Sequence, residues 1–372
     1  MSESNPNWYR IDNIDELDSP ALVVYPEKVR ANIRMAISMI GDVDRLRPHI
    51  KTNKSKEACQ LMIDAGILKF KCATIAEAEM LGILQAPDVL LAYQPNGPKL
   101  KRFVSVIEKY PATQYACLTD NIEAAKEMAA VFDAAGLNVP VFIDLNLGMN
   151  RTGIEPAGAV HLYAGASSLR GIRPVGLHGY DGHIRDSDFT LRRQKCNEAF
   201  SKMEAVKNDL LAKGFEEPII VAGGSPSFSI HCKRKNIQCS PGTFIYWDKG
   251  YADLCPEQPF LPAALVITRV ISLPGTNKLC LDLGHKSIAP ENEITRRVYF
   301  LNAPDLKAIS QSEEHLVVET SEAHLYKVGD VFYGLPIHIC PTVALYERAI
   351  TIENGRTSGE WKTIARDRKI EI

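Results

Sequence analysis

Between residues 45 and 246 the chain repeats one pattern: a short apolar run, then a longer stretch with helical spacing. The runs are RLRPHIK (45–51), KFKCAT (69–74), DVLLAY (88–93), TQYACLT (113–119), PVFIDLN (140–146), PVGLHGY (174–180), PIIVAGG (218–224) and IQCSPGTFIY (237–246). Segments such as SKEACQLMIDAG and NIEAAKEMAAVFDAAG lie between them and close on glycine, as a helix C-terminus often does. Eight strands alternating with helices predict a (β/α)8 barrel. An open, doubly wound sheet is the rival architecture, and the number of strands favours closure.

The texture changes after residue 255. LPAALVITRVISLPG, KLCLDLGHKSI, RRVYFLN, HLVVETS and VFYGLPIHIC are β-like runs separated by Pro, Gly and Asn turns. They predict a separate β domain. SPALVVY (19–25) is one strand more than the barrel can take, so it is assigned to the β domain as well. The expected division is 26–254 for the barrel, and 1–25 with 255–372 for the β domain. A chain of 372 residues is long enough for a large barrel plus such an appendage.

A net charge of -2 points away from nucleic acid. No window approaches about 18 uninterrupted apolar residues, so no membrane-spanning helix is expected. The N-terminal MSESNPNWYR has no apolar signal core. Nine dispersed cysteines without a CxxC pair read as reduced thiols. The expectation is a soluble, cytoplasmic protein.

Function in such a barrel sits at the C-terminal ends of the strands. Lys51 ends the first run, where burying its charge is costly. Either the amine snorkels to water, or it is held at the barrel mouth, its pKa lowered, ready for a Schiff base. Lys54 and Lys56, just beyond, read as solvated. The seventh run passes into VAGGSPSF, where Gly223 and Gly224 allow close backbone approach and Ser225 and Ser227 add hydroxyls. The eighth carries SPGTF, with Gly242 and Thr243. Loops at these two places commonly bind phosphate through backbone N–H groups. Arg151 follows the fifth run, and GLHGYDGH after the sixth gathers Tyr180, Asp181 and His183. His178 shares the face of Tyr180 on a regular strand. Each feature also has a plain structural reading: a glycine turn, a surface arginine, a packed tyrosine. Together they fit a phosphorylated carbonyl, and pyridoxal 5'-phosphate is the candidate. In GLPIHICPTVALYE, His338 and Cys340 are two apart, so an extended backbone points both side chains the same way. Imidazole and thiolate are ligands for Zn²⁺ and tolerable for other borderline metals; a histidine beside a buried thiol is the plain alternative.

RPHIKTNK, CATIAEAE, GMNRTGI, GYDGH, AGGSPSF, PGTF and HICPTVALYE, in this order, resemble pyridoxal phosphate-dependent enzymes of the alanine racemase-like fold. Within that fold the chain is similar to the D-threonine aldolase and D-serine dehydratase branch, from SPALVV to ALYE. The resemblance implies a (β/α)8 barrel with a C-terminal β domain that includes the N-terminal strand. It implies Lys51 as the lysine on the cofactor's aldehyde, with Gly223, Gly224, Ser225, Gly242 and Thr243 around its phosphate. Arg151 matches the arginine near the phenolic oxygen, Tyr180 the tyrosine near the pyridine ring, and His338 and Cys340 the ligands of a divalent Zn, Mn or Mg ion. His183 is a looser match to a catalytic histidine.

The implied activity is a lyase acting on small D-3-hydroxy amino acids. A D-threonine aldolase would give glycine and an aldehyde. The alternative is a D-serine or D-3-hydroxyaspartate dehydratase, giving a 2-oxo acid and ammonia. Some aldolases carry aspartate at the place of Cys340, and a His–Cys pair is associated with dehydratases. A racemase needs a second base on the opposite face of the ring, usually a tyrosine from the partner's β domain, and the HxC pair in the C-terminal segment argues against it; non-catalytic barrels of this fold lack the β domain. The resemblance also implies a homodimer.

Overall fold

The computed structural model describes residues 7–321 and 325–372. Strand β1 (Ala21–Val24) leads into helix α1 (Pro26–Ile40). A parallel series follows: β2 (Lys69–Cys72), β3 (Asp88–Leu91), β4 (Gln114–Thr119), β5 (Val139–Leu145), β6 (Ile172–Gly179), β7 (Ile219–Ala222) and β8 (Ile237–Cys239). They pair in sequence order as one sheet of seven parallel strands. The crossovers are α2 (Lys56–Asp64), α3 (Ile75–Ile83), α4 (Gly97–Lys109), α5 (Ile122–Ala134), α6 (Pro156–Ser167), α7 (Phe189–Ala212) and the single turn α8 (Phe228–His231). Side chains fix where these helices begin: Ser55, Thr74, Asn121 and Asp188 each accept a backbone N–H of the first turn. Strands and inward helix faces share one core, in which Phe70, Val89, Cys117, Val141 and Leu177 are fully buried.

The expected first strand, 45–51, is not a regular strand. Leu46 bridges Cys239 and His49 bridges Lys71, both in parallel sense. Arg47 donates its N–H to the Cys239 carbonyl at 2.9 Å, and Lys71 donates to Pro48 O at 2.8 Å. These contacts join the two edges of the sheet and close the barrel. Pro48 has no N–H to donate, and the chain leaves the extended form in a 3-10 turn at Ile50–Thr52. Lys51 therefore sits on a turn above the ring, not on a strand end. Lys54 also differs from expectation. It adopts φ 50°, and its amine pairs with the fully buried Glu77 carboxylate instead of standing in solvent.

After α9 (Lys249–Leu254) come β9 (Ala264–Ser272), β10 (Lys278–Leu281), β11 (Val298–Phe300), β12 (Lys307–Gln311), β13 (Leu316–Glu319) and β14 (Val331–Pro336). Helix α10 (Ile339–Leu345), β15 (Arg348–Glu353) and β16 (Arg356–Lys362) complete the chain's regular elements. Their sheet runs β12-β13-β10-β9-β1-β15-β16, with β14 on β9 and β11 on β14. Strand β1 is interior to it, antiparallel to β9 and parallel to β15. Val23 and Val24 are fully buried, as a two-sided apolar strand in a sheet interior should be. All nine cysteines are free. Among the described residues no helix is long and apolar enough to cross a membrane.

Candidate active site

A cavity of about 490 Å³ opens at the C-terminal ends of β2 to β6. Lys51, Arg151 and Tyr180, all singled out from sequence, line it together. The Lys51 amine lies 5.9 Å from the Tyr180 ring centroid and the Arg151 guanidinium carbon 5.2 Å. A third basic group, Lys71, stands 5.8 Å from the same ring. Two cations, Lys51 and Arg151, and a third, deeply buried amine surround one ring, with Asp144 and Asp120 as the lining carboxylates, so the cavity is strongly polar on this side.

Below the ring runs a buried chain of polar groups. Lys71 Nζ is 3.4 Å from His178 Nε2, and His178 Nδ1 is 2.7 Å from Asp144 Oδ1. Burial, with the Lys51 charge alongside, brings the Lys71 amine down to about 7. Burial and the Lys71 charge likewise lower His178, against the pull of Asp144. Burial alone would raise Asp144, but the hydrogen bond and charge of His178, a hydrogen bond from Thr152 and the Lys71 charge together outweigh it and hold the carboxyl low. Of these three, the sequence marks only His178, as sharing the face of Tyr180; Lys71 and Asp144 are not among its candidates for the site.

The loops after β7 and β8 meet as expected. Gly242 and Thr243 both donate their N–H to Ser225 Oγ, at 3.2 and 3.0 Å. Gly223 has φ 78°, and a Cβ there would come within 2.6 Å of the His231 ring. Behind this cradle, Ser227 Oγ accepts from Gly224 N–H at 3.1 Å and donates to Asp181 Oδ1 at 2.7 Å. Asp181 Oδ2 is 2.8 Å from His231 Nε2 and 3.7 Å from Cys196 Sγ. Burial pushes Asp181 up, yet His231 and Ser227 hold it below the usual carboxylate range. Asp181, Cys196 and His231 are all buried with their ligating atoms within 4.8 Å of one another. They already bond each other, an arrangement suited to fixing the loop.

His338 and Cys340 arrive from the second sheet, at the start of α10. Asp248, on the barrel, accepts the Ile339 N–H at 2.9 Å and pins this segment down. Cys340 Sγ lies 3.0 Å from Thr52 Oγ1 and 3.7 Å from Thr243 Oγ1, between the lysine turn and the cradle. Burial opposes ionisation of Cys340, but a hydrogen bond from His338 and the Lys51 charge lower its pKa overall. Burial also opposes protonation of His338; the Cys340 thiolate and Glu291 reverse this and raise it to about 9. Glu291 Oε1 is 2.5 Å from His338 Nδ1, leaving Nε2 to act with the sulfur. An imidazole oriented by a carboxylate beside a low-pKa thiol is a donor set that fits a divalent metal. His183 is placed apart from all this. It is exposed, its ring packs at Gly148, and it lines a neighbouring groove.

The family model described as "Alanine racemase, N-terminal domain" matches residues 24–249, more than half of the chain. The chain belongs to that family. A second model, "Putative serine dehydratase domain", matches residues 263–352, which include His338 and Cys340. The 3-hydroxy-D-aspartate aldolase of Paracoccus denitrificans (strain Pd 1222) is 23% identical over 369 residues, covering 94% of this chain and 92% of its own. The crystal structure of D-threonine aldolase from Filomicrobium marinum superposes with a TM-score of 0.86 at 23% identity, over 94% of this chain and 96% of that one. D-threo-3-hydroxyaspartate dehydratase from Delftia sp. HT23 does so with a TM-score of 0.77 at 20% identity, over 93% and 97%. The family member has the alanine racemase-like fold anticipated from its motifs: a parallel barrel sheet and a second, mostly antiparallel sheet.

Proposed function

We propose that this chain is a pyridoxal phosphate- and divalent metal-dependent lyase for D-3-hydroxy amino acids, acting as a D-threonine aldolase-like enzyme. The observation that carries the reading is the position of Lys51. It shares a cofactor-sized cavity with Arg151 and Tyr180, and its charge reaches the Cys340 sulfur from the other side. Relatives named as aldolases, covering nearly the whole chain, support it.

Lys51 would hold the cofactor by its aldehyde, Arg151 and Tyr180 would flank the ring, and Gly223, Gly224, Ser225, Gly242 and Thr243 would hold the phosphate. When bound, pyridoxal phosphate supplies an electron sink for the charge left on Cα when one of its bonds breaks. His338 and Cys340 would hold a Zn, Mn or Mg ion, which supplies a Lewis acid for the substrate's β-hydroxyl oxygen. Glu291 orients His338 for that task. Lys51 would take up the proton that the β-hydroxyl gives up and return it to the substrate's Cα as the Cα–Cβ bond breaks, so that glycine and the aldehyde leave. His183, exposed in its own groove, is given no step.

A dehydratase is the second reading, favoured by the match of residues 263–352 to the dehydratase model. There Lys51 would remove the α-proton instead. Incubation with D-threonine, D-serine and D-3-hydroxyaspartate, with and without EDTA, separates the two. Glycine plus an aldehyde, lost on chelation, is the expected result; a 2-oxo acid plus ammonia selects the dehydratase; turnover indifferent to chelation removes the metal. The homodimer implied by the resemblance belongs to the same proposal and is tested by light scattering.

A further inference from the structure

Lys71 lines the cavity while being only 2% exposed, more deeply buried than Lys51 or Arg151. A lysine in a strand interior needs a reason to be there, because desolvating its charge is costly. Its partner is the His178 imidazole at 3.4 Å, and the other ring nitrogen is held by Asp144 at 2.7 Å. Asp144 accepts the Nδ1–H, so Nε2 of His178 is the acceptor that faces the amine. Nucleophile, base and orienting carboxylate in a row are the usual signature of an activated nucleophile. An amine that directs one N–H at the ring keeps its lone pair for the cavity.

We propose that Lys71 is a second nucleophilic amine of this cavity, which condenses with aldehydes at neutral pH, with His178 as its base and Asp144 holding that base. The nitrogen attacks the carbonyl carbon. Through His178 the amine's two protons pass to the carbonyl oxygen, which leaves as water while C=N replaces C=O. Aldehyde plus amine gives imine plus water, and no electrons are exchanged. The groups facing Lys71 are Lys51, His49 and Arg47 from the chain before α2, Asp144 from β5, and His178 and Asp181 from β6 and its loop. Their balance, dominated by burial, leaves the amine titrating at about 7. At that pH its neutral fraction exceeds an ordinary lysine's by roughly a thousandfold. The aldehyde has two possible sources, the cofactor's own carbonyl and the small product of aldol cleavage.

The test uses the full-length protein between about pH 6 and 10. One arm adds acetaldehyde with cyanoborohydride; the other adds pyridoxal phosphate and then borohydride; both end in peptide mass mapping. With acetaldehyde, Lys71 is expected to be ethylated at a rate half-maximal near pH 7, while exposed lysines still gain label above about pH 9. With pyridoxal phosphate, the label is expected on Lys51 in the wild type and on Lys71 in Lys51→Ala. His178→Gln is expected to slow Lys71 labelling about tenfold or more. Acetaldehyde on Lys71 without a pyridoxyl group there supports the proposal, with the small aldehyde as its source. Both labels on Lys71 and none on Lys51 support it too, and overturn the role given to Lys51 above. A Lys71 that acetaldehyde leaves unlabelled up to about pH 9 in both proteins overturns the proposal. A rate unchanged by His178→Gln overturns the part given to His178.

Discussion

On the side of the loops after β7 and β8, the site is walled by backbone amides and hydroxyls: Gly242, Thr243 and Gly224 N–H groups arranged by Ser225 and Ser227. On the side of β2 to β6 the wall is charged: Lys51, Lys71, Arg151, His178 and Asp144. The first wall does not titrate near neutral pH, and its geometry is fixed from behind by Asp181 and His231. Such a wall suits a group whose charge never changes during turnover, as a phosphate's does not. The second wall contains amines and an imidazole that gain or lose protons, which is what bond-making at a carbonyl requires. Under the proposed function, anchoring and chemistry are assigned to different materials: amides and hydroxyls at the loops after β7 and β8, titrating side chains at the ends of β2 to β6.

If that division holds, substitutions on the charged side should abolish chemistry. Lys51→Ala is expected to lower kcat/KM by ~10³-fold or more, with loss of the cofactor's visible absorbance from Lys51. His338→Ala or Cys340→Ala is expected to cost roughly a hundredfold in turnover, together with loss of bound metal measured by elemental analysis. Retained turnover in a metal-free His338→Ala would remove that pair from the site.

On the anchoring side the expected effect is on affinity. Asp181→Asn breaks the network behind the cradle; we expect cofactor dissociation to weaken about tenfold and stability to drop by about 1–3 kcal/mol, read by fluorescence titration and urea unfolding. A fall in kcat at saturating cofactor, with affinity unchanged, would break the division of labour.

Lys71 links the comparison to stability. Its folded pKa of about 7 is depressed from the unfolded value. Above pH 7 the unfolded chain holds the proton and the native one does not, so stability rises with pH and is lost as pH falls through 7. Between pH 6 and 9 this raises the unfolding free energy by up to about 2–3 kcal/mol. Lys71→Met should remove that component from the curve of unfolding free energy against pH, leaving the opposite contribution of His338 in place. The smallest effect is expected at His183, which lines neither wall: His183→Gln should change kcat/KM less than about threefold.

Much of this was legible in the sequence, because barrel chemistry follows strand ends and the motifs there are local. Lys51 and Tyr180 each close a run, Arg151 follows one, and the cradle glycines are needed by backbone close to a neighbour. The regular strand expected at 45–51 failed at Pro48, whose missing N–H breaks the ladder. Lys54 looked solvated because its partner, Glu77, lies on helix α3, 23 residues on. Lys71 and Asp144 stayed hidden for a related reason. In KFKCAT and PVFIDLN the alternation of faces is visible, but which face looks into the barrel depends on six other strands. A charged residue in such a run reads as solvent-facing until closure turns it inward. His338 and Cys340 could be paired with each other from spacing, while their approach to Thr52 and Thr243 joins residues nearly 300 apart, at Thr52 and Cys340.

Strand β1 has a consequence for how the chain is made. It lies between β9 and β15, and its first antiparallel partner, Ala264 opposite Val24, follows it by 240 residues. At a ribosomal rate of about 5–20 residues per second, its apolar edges wait roughly 10–50 s for that partner. The barrel is finished during the wait, so the nascent chain carries a completed barrel and an unsatisfied strand at once. That interval is when a chaperone has most to offer this protein.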